Sequence, residues 1–240
     1  MEKYLSSLLI FCIVFITSCN TQKLEMLDHA KNNEMAKEKI RYVAIGDSYT
    51  IGEGASEEES WPSLLTKHLQ KEGIDIELIA NPSRTGWTTK DAIDYELSVY
   101  KSSKPNFATL LIGVNDWVQG ISKDEFRKRL AFLIDEMLKE LPNNDRLLVI
   151  TIPDFSATSN GYFYSNGRDI SNGILEFNSI IKEEAKKRNL KVVDIFTLSK
   201  GMSNDRNLVA KDGLHPSAKE YALWEEEIFP DASDILSKKI

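Results

Sequence analysis

The chain has 240 residues, with 30 Lys and Arg against 37 Asp and Glu, a formal charge of −7, three His and two Cys. This length suits one α/β domain with a full hydrophobic core, and a composition 42% hydrophobic and 28% charged is globular rather than disordered. Net acidity argues against a nucleic-acid partner and against polybasic membrane attachment, and the placement of both thiols at Cys12 and Cys19 excludes a Cys nucleophile, a disulfide framework or a thiolate metal site in everything that follows.

Met1–Ser18 has the pattern of a secretory signal. Lys3 supplies the positive start, and Leu8–Ile16 is an apolar run too short to cross a bilayer. Ile16-Thr17-Ser18-Cys19 resembles a bacterial lipobox. That resemblance implies cleavage before Cys19, a lipid on this Cys, and membrane anchoring in the bacterial cell envelope. A plain signal with an incidental Cys is the alternative. Residues 19–39 then form a lipidated Cys and polar spacer, with His29 solvated, and residues 40–240 form the folded domain.

From Ile40 the chain alternates between two patterns. Short β-rich runs recur at Ile40–Ile45, Ile74–Ala80, Phe107–Ile112, Arg146–Ile152 and Leu190–Ile195. Helical periodicity separates them. Trp61–Lys71 and Thr89–Tyr100 come first. Lys123–Leu141 carries Phe126, Leu130, Leu133, Ile134, Met137, Leu138 and Leu141 on one face, and Ser122 with Glu125 spells a capping box at its start. Asn172–Arg188 follows, and a last helix starts near Pro216, with Pro230 expected to break or end it. Strands alternating with helices predict a parallel sheet covered on both faces. The predicted fold is α/β: a three-layer sandwich around five parallel strands in flavodoxin-like order.

In such folds ligands sit beyond the carboxyl ends of the strands. The residues there are Gly46-Asp47-Ser48-Tyr49, Asn81-Pro82-Ser83-Arg84-Thr85-Gly86, Gly113-Val114-Asn115-Asp116, Pro153-Asp154 with a long Gly/Ser/Asn loop, and Asp212-Gly213-Leu214-His215-Pro216. Together they hold the parts of acyl transfer: a Ser, a His to take its proton, an Asp to orient the His, and amides to hold an oxyanion. Asp212 and His215 are three apart, so one short turn can point both side chains the same way.

GDS after the first strand, Gly86 after the second, GxND after the third and DxxHP before the last helix resemble the blocks of the SGNH (GDSL-type) hydrolases, in order, over about Tyr42 to Tyr221. The resemblance implies the SGNH hydrolase fold and a serine esterase acting on O-acyl esters through an acyl-enzyme. Lysophospholipases, acyl esterases and carbohydrate deacetylases all share these parts. It implies Ser48 as nucleophile, His215 as base and Asp212 as its partner. The oxyanion hole would comprise the Ser48 and Gly86 backbone amides and the Asn115 side chain. No cofactor or metal is required; the partners are a glycan or lipid ester and, through Cys19, the membrane. Tyr49 stands where the family has Leu, a difference expected to affect packing.

Each residue also has a structural reading. Ser48 could be a helix N-cap, Gly86 a turn glycine, Asn115 a brace for its own turn, and Asp212 a cap for the last helix. Asp47 and Asp116 are expected to hold the Ser and Asn loops through backbone amides, and His68 to be a packed helix residue. Trp117 and Phe155 are candidates for lining the substrate pocket, and Asp154–Ile170 is expected to shape the cleft. Two other functions fit the sequence: a non-catalytic glycan- or lipid-binding lipoprotein, and a Mg²⁺-dependent phosphohydrolase using Asp47, Asp116 and Asp154.

Overall fold

In the computed structural model, which describes residues 39–237, the apolar run Ile40–Gly46 is strand β1, with every residue but Arg41 buried. A strand hidden on both faces needs a partner on each side. β1 pairs in parallel with β2 (Ile76–Ala80) on one side and β3 (Phe107–Leu111) on the other. β4 (Leu147–Ile150) and β5 (Lys191–Val193) complete the sheet in the order β2-β1-β3-β4-β5. This is the flavodoxin-like order predicted. The proposed signal, Cys12, Cys19, the spacer and His29 lie outside the described residues.

Each helix follows from its apolar stripe. α1 (Ser48–Ile51) is a single turn straight after β1, and α2 (Trp61–Lys71) buries Trp61, Leu65 and Leu69. Residues 89–103 run as α3 (Thr89–Asp91), a π-turn segment (Ala92–Glu96) and α4 (Leu97–Ser103). After β3 come α5 (Val114–Val118) and α6 (Lys123–Leu138), which buries Phe126, Leu130, Leu133, Ile134 and Met137. α7 (Ile170–Lys187), the short α8 (Phe196–Ser199) and α9 (Ala218–Ser237) complete the chain. α2 packs on α9, while α6 packs on both α4 and α7.

Two local expectations are corrected. Pro230 lies inside α9, which runs on to Ser237. Pro230 is exposed, so the carbonyl released one turn earlier, at exposed Glu226, faces water, while buried Ile228, Ala232 and Ile235 hold both halves on the core. At the start of α6, Ser122 accepts the Glu125 amide, but the Glu125 carboxylate turns forward to Arg129, 2.7 Å away. An i,i+4 ion pair replaces the second half of the capping box.

One carboxylate joins α6 to α7. Glu184, 3% exposed, meets Arg127 at 2.9 Å, Lys187 at 2.6 Å and Arg188 at 2.8 Å, and Arg188 reaches on to Asp135 at 2.6 Å. Burial alone would raise the Glu184 carboxyl; bonds from Lys187, Arg188 and Arg127 outweigh it and hold it at about 2. A depressed acid stabilises the fold above its unfolded pKa, and that stabilisation disappears as pH falls through the folded value. Glu184→Gln should cost roughly 2–3 kcal/mol in urea unfolding at pH 7. The gap from the parent protein should close between about pH 4.5 and about pH 2.

Candidate active site

All five strands point the same way, so their carboxyl ends share one edge. In the β1–β3 register Gly46 lies opposite Leu111, which sets the β1–α1 turn beside the β3–α5 turn. Asp47 caps α1 by accepting the Tyr49 amide at 3.1 Å, which leaves Ser48 as the first helical residue rather than the cap. Ser48 is 5% exposed and opens onto a cavity of about 130 Å³. Gly86, Asn115 and His215 line the same cavity. The structure thus brings together four of the five residues predicted for the site, with the fifth, Asp212, hydrogen-bonded to His215.

The Asp212–His215 turn is tightly set. Asp212 Oδ1 accepts the backbone amides of Leu214 at 2.9 Å and His215 at 3.0 Å. Its Oδ2 lies 2.6 Å from His215 Nδ1. Partial burial works to raise this carboxyl; the bonds from the His215 ring and the two amides prevail and hold it below its usual value. Asp212 therefore stays ionised beside the ring. With Nδ1 committed to Asp212, the imidazole leaves Nε2 as its second nitrogen for chemistry. The Asp212 side chain caps the local turn, while the last helix begins later, at Ala218.

The two other predicted donors are braced from outside their own turns. Asn115 donates from Nδ2 to the Trp87 carbonyl at 2.9 Å, tying α5 to the loop that carries Gly86. Gly86 sits at φ +83°, a left-handed conformation that suits glycine. Asp116 holds that same loop rather than its own: it accepts both the Thr89 amide at 2.8 Å and the Thr89 hydroxyl at 2.6 Å.

Tyr49 is buried, and its ring stands edge-on to Trp224 with centroids 5.7 Å apart and 6.1 Å from the His215 ring. The residue that departs from the family pattern therefore packs beside the imidazole. Beneath Ser48, burial pushes the Asp47 carboxyl up to about 8, against the pull of the Tyr49 amide. Burial also raises Glu96 well above its ordinary value, although it accepts the Gly46 amide at 3.1 Å. Burial thus disfavours the charged form of both acids.

Phe155 lines the cavity with Tyr49, Thr85, Val114, Val118, Tyr164 and Leu214. Trp117, predicted beside Phe155, does not line it. It lies behind, edge-on to Phe155 at 5.7 Å, with the Arg168 guanidinium 3.9 Å over its ring. Sequence reasoning did not single out Val114, Val118 and Leu214. Val114 and Val118 are one helical turn apart on α5, and Leu214 sits between Asp212 and His215, so the spacing held the signal.

The three carboxylates of the metal reading each have other partners. Asp47 caps α1, Asp116 holds Thr89, and Asp154 accepts the Ser156 amide at 3.1 Å and the Ser171 hydroxyl at 2.6 Å. Among the described residues, no three His, Cys, Asp or Glu side chains converge as a metal-binding set. His68 packs away from the cavity, bonded to Glu225 at 2.9 Å and stacked on Phe229 at 3.6 Å.

Residues 44–223 match the family model described as GDSL-like lipase/acylhydrolase. An arylesterase of Vibrio mimicus is 29% identical over 118 residues, covering 49% of this chain and 57% of that protein. A multidomain esterase of Ruminococcus flavefaciens is 29% identical over an alignment of 248 residues, covering 85% of this chain and 30% of that protein. The matches thus span less than two thirds of either relative. Among solved structures, the lipase/acylhydrolase from Enterococcus faecalis superposes with a TM-score of 0.65 at 23% identity, over 81% of this chain and 96% of that one.

Proposed function

The chain belongs to the GDSL-like lipase/acylhydrolase family, and on that premise we propose that it hydrolyses O-acyl esters through an acyl-enzyme on Ser48. One observation carries this reading: a His bonded to a carboxylate at 2.6 Å shares a small cavity with a buried Ser, a Gly and an Asn amide. His215 Nε2 takes the Ser48 proton as Oγ attacks the ester carbonyl carbon. The oxygen that becomes negative is held by the Ser48 and Gly86 amides and the Asn115 side chain. The tetrahedral species collapses, the C–O bond to the alcohol breaks, and His215 returns the proton to the leaving oxygen. Water repeats the sequence on the acyl-enzyme and releases the acid. Asp212 keeps the ring in its orientation and stabilises the imidazolium.

The cavity supports short acyl chains. At about 130 Å³ it is well below the ~300–1,000 Å³ of drug-sized ligand sites, and Val114, Val118, Phe155 and Leu214 supply its apolar wall. The acyl group of an acetylated glycan or another small ester matches this volume and wall.

Turnover of acyl esters of rising chain length by the purified chain should be highest for the shortest acyl groups. Ser48→Ala should lower kcat by about 10⁴–10⁶-fold, and EDTA should leave activity unchanged. Near-normal turnover by Ser48→Ala would refute the acyl-enzyme. EDTA sensitivity without serine sensitivity would favour the Mg²⁺ phosphohydrolase reading. Binding of an acylated glycan with no turnover by either form would favour a binding lipoprotein.

We further propose that the enzyme is held to a bacterial envelope membrane by a lipid on Cys19. Ile16-Thr17-Ser18-Cys19 after an apolar run supports this, as does the polar stretch from Asn20 to Lys39. In a bacterial host, Cys19→Ser should move the enzyme from the membrane to the soluble fraction; membrane retention in that variant would overturn the anchor.

A further inference from the structure

The segment 154–170 does more than border the cavity. Phe155 and Tyr164 line it, while Tyr162 and Phe163 between them are exposed. The same segment is bonded to the turn that carries the base. Asn160 donates from Nδ2 to the Asp212 carbonyl at 2.6 Å and from its backbone amide to the Gly213 carbonyl at 2.8 Å. The Ser159 hydroxyl also donates to the Gly213 carbonyl, at 3.2 Å. The fit is close. A Cβ on Gly213, at φ +72°, would stand 2.7 Å from both Asn160 Nδ2 and Ser159 Oγ.

At its other end the segment holds the helix that carries Asn115. The Arg168 guanidinium donates to the Trp117 carbonyl at 2.7 Å and the Val118 carbonyl at 2.9 Å, and Asn166 donates to the Val118 carbonyl at 3.4 Å. Both carbonyls lie at the end of α5, where a cation is electrostatically favoured. One stretch of chain thus spans from the Asp212–Gly213 turn to α5.

We infer that residues 154–170 tie the Asp212–His215 pair to the Asn115 helix, and that Asn160 is a positioning residue for that pair. This inference rests on the proposed roles of Ser48, Asp212 and His215. Local bonds within Asp212–His215 set the ring relative to the carboxylate, but nothing within that turn sets the pair relative to Ser48, which starts the short helix after β1. Asn160 supplies this by anchoring the turn's outward carbonyls. Asn160→Ala removes only the side-chain donor, since the backbone bond to Gly213 remains.

The test compares the parent chain with Asn160→Ala, Asn160→Gln and Ser48→Ala, on a short acyl ester and by proton NMR of the downfield His215 Nδ1–H. Asn160→Ala should lower kcat by about tenfold or more, since small displacements of reacting groups are costly. KM should stay within about twofold, because the acyl wall is untouched. The Nδ1–H resonance should persist, because the local Asp212–His215 bonds are untouched, and Asn160→Gln, which keeps an amide donor, should regain part of kcat. An unchanged kcat, a change in KM alone, or a lower kcat with the Nδ1–H resonance lost, which would mean that the local pair itself had collapsed, would overturn the inference. The Ser48→Ala arm keeps the two readings apart. Activity surviving there refutes the acyl-enzyme itself, whereas a dead Ser48→Ala beside a fully active Asn160→Ala refutes only the tie.

Discussion

The active edge of this protein depends on one constraint: β1 is buried and must be paired on both sides by strands running its own way. A parallel partner cannot be reached by a hairpin, so every strand end must be followed by a crossover. That requirement sends each carboxyl end to the same edge of the sheet. Gly46 opposite Leu111 then fixes how far apart the Ser48 turn and the Asn115 helix begin. The chemistry of Ser48, Gly86, Asn115, Asp212 and His215 is placed by this arrangement before any of these side chains makes a bond of its own.

Around that edge, polar side chains join loops that are distant in sequence. Asn115 holds the Trp87 carbonyl, Asp116 holds Thr89, and Asn160 holds the Asp212 turn. Each bond takes a loop residue whose conformation is locally free and references it to another strand end. The electrostatics follow the same plan. Asp212 is held ionised by three hydrogen-bond donors, where the proposed mechanism places a positive imidazolium. Burial pushes the Asp47 and Glu96 carboxyls the other way, towards the protonated form. These carboxyl groups are shifted in opposite directions because their surroundings differ.

Much of this was legible in the sequence. The strands, the parallel sheet and the helices at Trp61–Lys71 and Lys123–Leu138 follow from periodicity and apolar runs, which reflect burial directly, while the strand order was expected from the topology common to five-stranded α/β sandwiches. Asp212 and His215 were legible as a pair because their bond is local, three residues apart. What was not legible depends on tertiary partners. Pro230 stays helical because its exposed side releases a carbonyl to water, and Trp117 is withdrawn from the cavity by Phe155 and Arg168. Asp116 serves a loop 27 residues away, and Asn160 a turn 52 residues away, where no spacing rule reaches.

The central claim is that the ester's acyl group passes through Ser48. The most direct measurement is acid quench of a short acyl ester reaction within the first turnover, followed by intact-mass and peptide mass spectrometry. An acyl group of the substrate's mass on the peptide containing Ser48, absent in His215→Ala and released on ageing in buffer, is the predicted result. Full product formation in the first turnover with no acylated Ser48 at any quench time would contradict the account.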